Sequence, residues 1–144
     1  MFRRILVPVD GSVHSEYAVS YAIDLARAVD AEVIVCRVIP PQKASTSSDD
    51  ARTAERYVST VAQRFRDLDV VTKMQVRRGE PAMEIRRMAV DWEVDAIVMA
   101  TRGRRRLAKL MLGSVAEAVV RDCRLPVLLV STRRRSKGEV ERAA

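Results

Sequence analysis

Five short runs rich in Val, Ile and Leu punctuate the chain: Ile5 to Val9, Glu32 to Ile39, Val70 to Arg77, Asp95 to Ala100 and Pro126 to Val130. Several are nearly continuous rather than alternating, the pattern of strands covered on both faces. The stretches between them carry helical spacing instead. Ala18, Ala22, Leu25, Ala26 and Val29 form one apolar stripe, and Ala54, Tyr57, Val58, Val61, Ala62 and Phe65 form a second. Pro81 suits a first helical turn and is followed by Met83, Ile85, Met88 and Ala89. Ser114-Val115-Ala116-Glu117 has the form of a capping box that opens the last helix, with Ser114 accepting from the Glu117 amide. Strand and helix therefore alternate throughout. Because crossovers between parallel strands are right-handed, this order predicts α/β architecture: a single open five-stranded parallel sheet sandwiched by helices.

With 144 residues the chain fits one domain with a full core. A 48% hydrophobic fraction beside 31% charged residues excludes collagen-like and disordered classes. The formal net charge of +7 favours anionic partners without choosing among nucleotide, nucleic acid and membrane surface. Cys36 and Cys123 have no CxxC spacing and read as free core thiols. The opening apolar stretch is stopped by Asp10, too soon for a signal peptide, and no run reaches the roughly 18 residues of a membrane helix. A soluble, cytoplasmic protein is the expectation. The small polar segment Ala44 to Asp50 reads as a surface loop, and residues 133–144, beginning Arg133-Arg134-Arg135, read as a charged, frayed tail behind a domain spanning 1–132.

Ligands of open α/β sheets bind beyond the carboxyl ends of the strands, where strand order reverses. Two such ends carry unusual chemistry. Asp10-Gly11-Ser12 puts a carboxylate and a hydroxyl after the first strand, though an aspartate there also suits a local turn or a helix cap. The fourth strand runs into Ala100-Thr101-Arg102-Gly103-Arg104-Arg105-Arg106, and this basic loop returns at Gly113-Ser114. A helix N-terminus offers unpaired N–H groups and partial positive charge, and glycine lets an anion approach the backbone, so Gly113 and Ser114 are candidates for phosphate binding. Gly103 could supply the other rim, and Arg102, Arg104, Arg105 and Arg106 could add charge-assisted contacts. The same residues also fit a turn, a cap and a solvated basic face. His14, the only histidine, has no recognisable acid–base partner, and Trp92 reads as a partly buried packing residue.

The segment from Ala100 to Ser114 also resembles the nucleotide motif of the universal stress proteins, specifically of their ATP-binding branch. That motif, G-x2-G-x9-G-[ST], falls here as Ala100-x2-Gly103-x9-Gly113-Ser114. The likeness extends from about Arg3 to Thr132, through Ile5-Leu6-Val7-Pro8-Val9-Asp10-Gly11-Ser12 and Leu125-Pro126-Val127-Leu128-Leu129-Val130. It implies a Rossmann-like fold of the adenine nucleotide alpha hydrolase type. By position it implies that Asp10 faces the ribose, that Pro8 and Val38 bracket the adenine, that Met99, Ala100, Arg102 and Gly103 line the loop, and that Gly113, Ser114 and Val115 hold phosphates. ATP, accompanied by Mg2+ that Asp10 would reach indirectly, is the implied ligand. The chain departs from the motif at Ala100, where the pattern has glycine.

Neither a P-loop G-x4-G-K-[ST] nor a kinase set is present, so the expectation is a binding and signalling module with at most weak ATPase activity. Two other readings stay open at this level: a family member that binds no nucleotide and acts through protein contacts, and a nucleic-acid binder using Arg102, Arg104 to Arg106 and Arg133 to Arg135. With 4% aromatic residues and no recognised nucleic-acid module, the last is disfavoured. The strand Pro126 to Val130 is expected at a sheet edge, where unpaired backbone groups invite another chain. In the family the matching strand pairs across a two-fold axis, so the resemblance implies a homodimer.

Overall fold

A computed structural model describes residues 2–41, 47–102 and 112–131. Among these, the element order is β1 (Arg4–Pro8), α1 (Val13–Val29), β2 (Glu32–Ile39), α2 (Ser47–Arg66), β3 (Thr72–Arg78), α3 (Pro81–Asp91), β4 (Ala96–Ala100), α4 (Ser114–Asp122) and β5 (Val127–Val130). The strands pair in parallel in the order β3-β2-β1-β4-β5. This is the helix-sandwiched parallel sheet that the alternating pattern requires, with β5 on an edge as expected.

The chain winds outward from β1 to β3, then crosses back to the far side of β1 for β4 and β5. Right-handed crossovers in opposite directions put α1 and α2 on one face and α3 and α4 on the other. Successive residues of β1 consequently enter different cores. Ile5, Val7 and Val9 pack with Ala18 and Ala22 of α1 and with Val58 and Phe65 of α2. Leu6 packs with Ile34, Cys36, Ile85, Met88 and Val119 on the opposite face. Both faces of β1 are dry, which is why its sequence has no polar alternation. Truncating a fully buried residue such as Ile5 or Leu6 to Ala would cost about 2–5 kcal/mol.

Local details correct the sequence reading in four places. Ser47 to Asp50 belong to α2 rather than to a loop, since Ser and Asp are favoured in first helical turns as well as in loops; Ala44, Ser45 and Thr46 lie outside the described residues. β3 starts at Thr72, because the Val70 amide instead donates to the Phe65 carbonyl and closes the end of α2. Gly113, not Ser114, is the N-cap of α4: the Glu117 amide donates to the Gly113 carbonyl at 2.9 Å, so the helix begins one residue earlier and Ser114 makes no capping box. Cys123, read as a core thiol, is only partly buried and forms the C-cap of α4. The tail 133–144 and Thr132 lie outside the described residues.

Candidate functional site

The middle of the sheet parts at its carboxyl end. β1 follows β2 to the last, with the Val9 amide donating to the Cys36 carbonyl at 2.8 Å, and β4 follows β5 as far, with the Thr101 amide donating to the Val130 carbonyl at 3.0 Å. Between β1 and β4 the register pairs Ile5 with Ala96 and Leu6 with Ile97, and goes no further. On this seam the Arg4 carbonyl accepts from the Asp95 amide, so even-numbered positions of β1 turn their polar groups toward β4. Pro8 is such a position and has no N–H to give. The seam opens where the strand order reverses, the place where open α/β sheets accept ligands.

A cleft of about 740 Å3 occupies the opening. It collects Pro8, Asp10, Val38, Met99, Ala100, Arg102, Gly113, Ser114 and Val115 from four separate parts of the chain. Gly103, the remaining member of the expected set, lies outside the described residues, as do Arg104 to Arg106. The cleft is also lined by residues that the sequence reading missed: Val9, Ser15, Arg37, Pro40, Pro41, Glu80, Pro81, Ile85, Thr101 and Ala116. Pro40-Pro41 and Glu80-Pro81 follow the carboxyl ends of β2 and β3, so applying the strand-end rule to all strands rather than two would have found them. Four of the five prolines line the cleft, giving it a wall with little backbone freedom and few N–H donors.

Asp10 is held by its own turn. Its Oδ1 accepts the Ser12 amide at 2.9 Å, across Gly11 with φ of 81°, a backbone conformation that suits glycine. Ser12 in turn caps α1, its hydroxyl accepting the Ser15 amide at 3.2 Å. The local role foreseen for Asp10 is thus present, and its carboxylate also lines the cleft. His14 falls in the first turn of α1.

At the other lip the Gly113 amide donates to the Thr101 carbonyl at 2.6 Å. The bonding internal to α4 starts with the Glu117 amide, and no side chain caps the helix. The amides of Ser114, Val115 and Ala116 therefore have no acceptor within the helix, and all three residues line the cleft. Such a terminus favours an anion.

Cysteine chemistry plays no part in the cleft. Complete burial pushes the Cys36 thiol well above the ordinary range, with the Arg77 guanidinium opposing the shift only in part, so no thiolate forms near neutral pH. Among the described residues, no group of three His, Cys, Asp or Glu side chains could hold a metal ion, and no helix is long and apolar enough to cross a membrane.

The model of the universal stress protein family matches residues 1–131. The chain belongs to the universal stress protein family. It is 32% identical to universal stress protein MJ0531 of Methanocaldococcus jannaschii over 143 residues, covering 90% of this chain and 82% of that one. The solved structure of the protein MJ0577 superposes with a TM-score of 0.83 at 28% identity, covering 94% and 99% of the two chains. The universal stress protein from Archaeoglobus fulgidus in complex with dAMP superposes with a TM-score of 0.72 at 23% identity, covering 90% and 97%.

Within the universal stress protein motif, Ala100 replaces the first glycine at a position whose backbone accepts a side chain. Ala100 ends β4, is not among the described non-glycine residues with positive φ, and packs in the core shared with α1, alongside Val98. An ordinary φ removes the backbone objection to a methyl group here.

Proposed function

We propose that the cleft binds an adenine nucleotide, with ATP as the first candidate, and that the protein acts as a nucleotide-responsive stress and signalling module. The observation that carries this reading is the composition of the cleft's lining. Pro8, Val38, Ile85 and Met99 offer apolar surface fit for a base, while the open amides of α4 and the Arg102 guanidinium suit a phosphate tail. Asp10, in the β1–α1 turn, also lines the cleft and is assigned to the ribose hydroxyls. The dAMP complex of the Archaeoglobus fulgidus protein speaks for the fold alone; the residues of this chain carry the assignment.

Mg2+ would enter with the phosphates. Asp10 is the one carboxylate of the described cleft assigned near them, and with its Oδ1 engaged by Ser12 it fits an indirect contact rather than a dedicated metal site. The chain offers no P-loop lysine, so the reading is of a binder with at most slow hydrolysis.

We further assign the protein to the cytoplasm, in keeping with two free cysteines, and to a homodimer joined through β5. β5 is an edge strand, and Leu128 on it is 45% exposed.

Mass analysis of small molecules released on denaturing freshly purified protein, followed by calorimetric titration with Mg-ATP, tests the nucleotide assignment. Release of an adenylate and saturable binding are expected; neither release nor heat up to millimolar ATP would overturn it. Sedimentation at micromolar concentration tests the dimer, and a monomer would contradict it.

A further inference from the structure

Two helix N-termini open onto the face of the cleft to which the base is assigned. Val38, Ile85 and Met99 belong to the core that α3 and α4 cover. Glu80 and Pro81 at the start of α3 line the cleft, as do Ser114 and Val115 at the start of α4. The two termini are chemically opposite. At α3 every first-turn amide is taken: Pro81 has none, those of Ala82 and Met83 donate to the Glu80 carboxylate at 3.2 and 2.8 Å, and that of Glu84 donates to the Glu80 carbonyl at 3.0 Å. At α4 no side chain caps the helix, and the amides of Ser114, Val115 and Ala116 have no acceptor within it. A full carboxylate charge outweighs the roughly half unit of positive charge at a helix N-terminus, so the α3 end is net negative where the α4 end is positive.

Glu80 stands at the base end. The Gly79 amide donates to the Ile39 carbonyl at 3.0 Å, which ties the turn that carries Glu80 to the residue after Val38, and Ile85 follows one turn into α3. We infer that Glu80 is a specificity-determining residue of the cleft: its negative charge excludes ligands that carry an anion at the base end, so the site takes a neutral base and admits phosphates at α4 alone. This rests on the proposed nucleotide assignment and deepens it, since the ligand class becomes a nucleotide charged at one end only. The capping bonds hold the carboxylate in place, so its charge acts from a fixed point rather than from a side chain free to turn into solvent.

The test is calorimetric titration, at mildly alkaline pH, of ATP and of xanthosine triphosphate, whose base is an anion there while adenine is neutral. The proteins are the full-length wild type, Glu80→Gln and Glu80→Asp. The quantity read is the ratio of the two affinities, in which a structural change felt equally by both ligands cancels. The wild type should prefer ATP. Glu80→Gln should reduce that preference by about three- to tenfold, the effect of removing one partly screened charge. Glu80→Asp, which keeps the charge and a favoured capping side chain, should keep the preference of the wild type. A wild type that prefers the xanthine ligand, an unchanged ratio in Glu80→Gln, or a ratio in Glu80→Asp that falls as far as in Glu80→Gln would overturn the inference. A wild type that binds neither triphosphate would instead overturn the nucleotide assignment beneath it.

Discussion

The Gly113 amide donates to the Thr101 carbonyl at 2.6 Å, pinning the point where the chain leaves β4 to the point where it enters α4. The bond has two consequences. It fixes the N-terminus of α4 against the end of the parted sheet, and it engages the Gly113 amide internally, which leaves an incoming anion to the amides of Ser114, Val115 and Ala116. On the proposed reading, the motif glycine would act by clearing space and setting backbone direction, and the residues after it would supply the donors.

Ser114→Pro separates those donors from the stability of the helix. Proline fits the first helical position, and Gly113, with φ of −58° and ψ of 152°, has the extended conformation that a residue before proline prefers. Unfolding by urea should shift by less than about 1 kcal/mol. Calorimetry should show ATP binding weakened by roughly 5- to 30-fold, the loss of about 1–2 kcal/mol of hydrogen bonding from one amide and one hydroxyl. Unchanged affinity would remove the α4 terminus from the site.

Asp10→Asn and Asp10→Ala divide the two roles of Asp10. Asparagine keeps an oxygen for the Ser12 amide and should leave stability nearly intact, whereas alanine should cost about 1 kcal/mol through loss of the turn. Both remove the carboxylate from the cleft, so both should weaken nucleotide binding. Urea denaturation and titration of the same preparations distinguish the two effects.

Gly79→Ala should destabilise the cleft wall formed by the start of α3. Gly79 has φ of 156°, and a Cβ there would lie 2.8 Å from Cγ of Glu84, a buried side chain held by Arg77 and Arg87. A loss of about 1–3 kcal/mol is expected from the backbone conformation, measured as a lower urea midpoint with unchanged slope.

Asp95 confers an acid-sensitive contribution to stability. The backbone amides of Arg4 and Arg3 both donate to its Oδ2, at 2.9 and 2.7 Å, and hold the carboxyl below its usual range. A lowered folded-state value means that the contribution is complete above the unfolded value of about 4 and is lost as the pH falls below it. Thermal unfolding of the wild type should therefore decline more steeply between about pH 5 and pH 3 than that of Asp95→Asn. Parallel curves would show that the two bonds do not favour the ionised form.

Much of the cleft was legible without coordinates because its chemistry lies at strand ends. Asp10 and the Gly113 segment stand out by residue type and position, and all the expected cleft residues that fall among the described ones meet in one cleft. Arg37 escaped notice because it occupies a strand position where the sequence offers no motif, and only the tertiary structure brings it to the cleft. The capping role assigned to Ser114 was wrong by one residue because the tie from Gly113 to Thr101, twelve residues apart in the chain, moves the start of α4.

The sequence alone determined which segments are strands and helices, and that several of the strands must be covered on both sides, since apolar period and burial are local consequences of residue type. The order β3-β2-β1-β4-β5, the parting of β1 from β4 and the convergence of five distant segments on one cleft were decided by the tertiary structure. They depend on how crossovers pack and where a ladder runs out of donors, and no single segment contains that information.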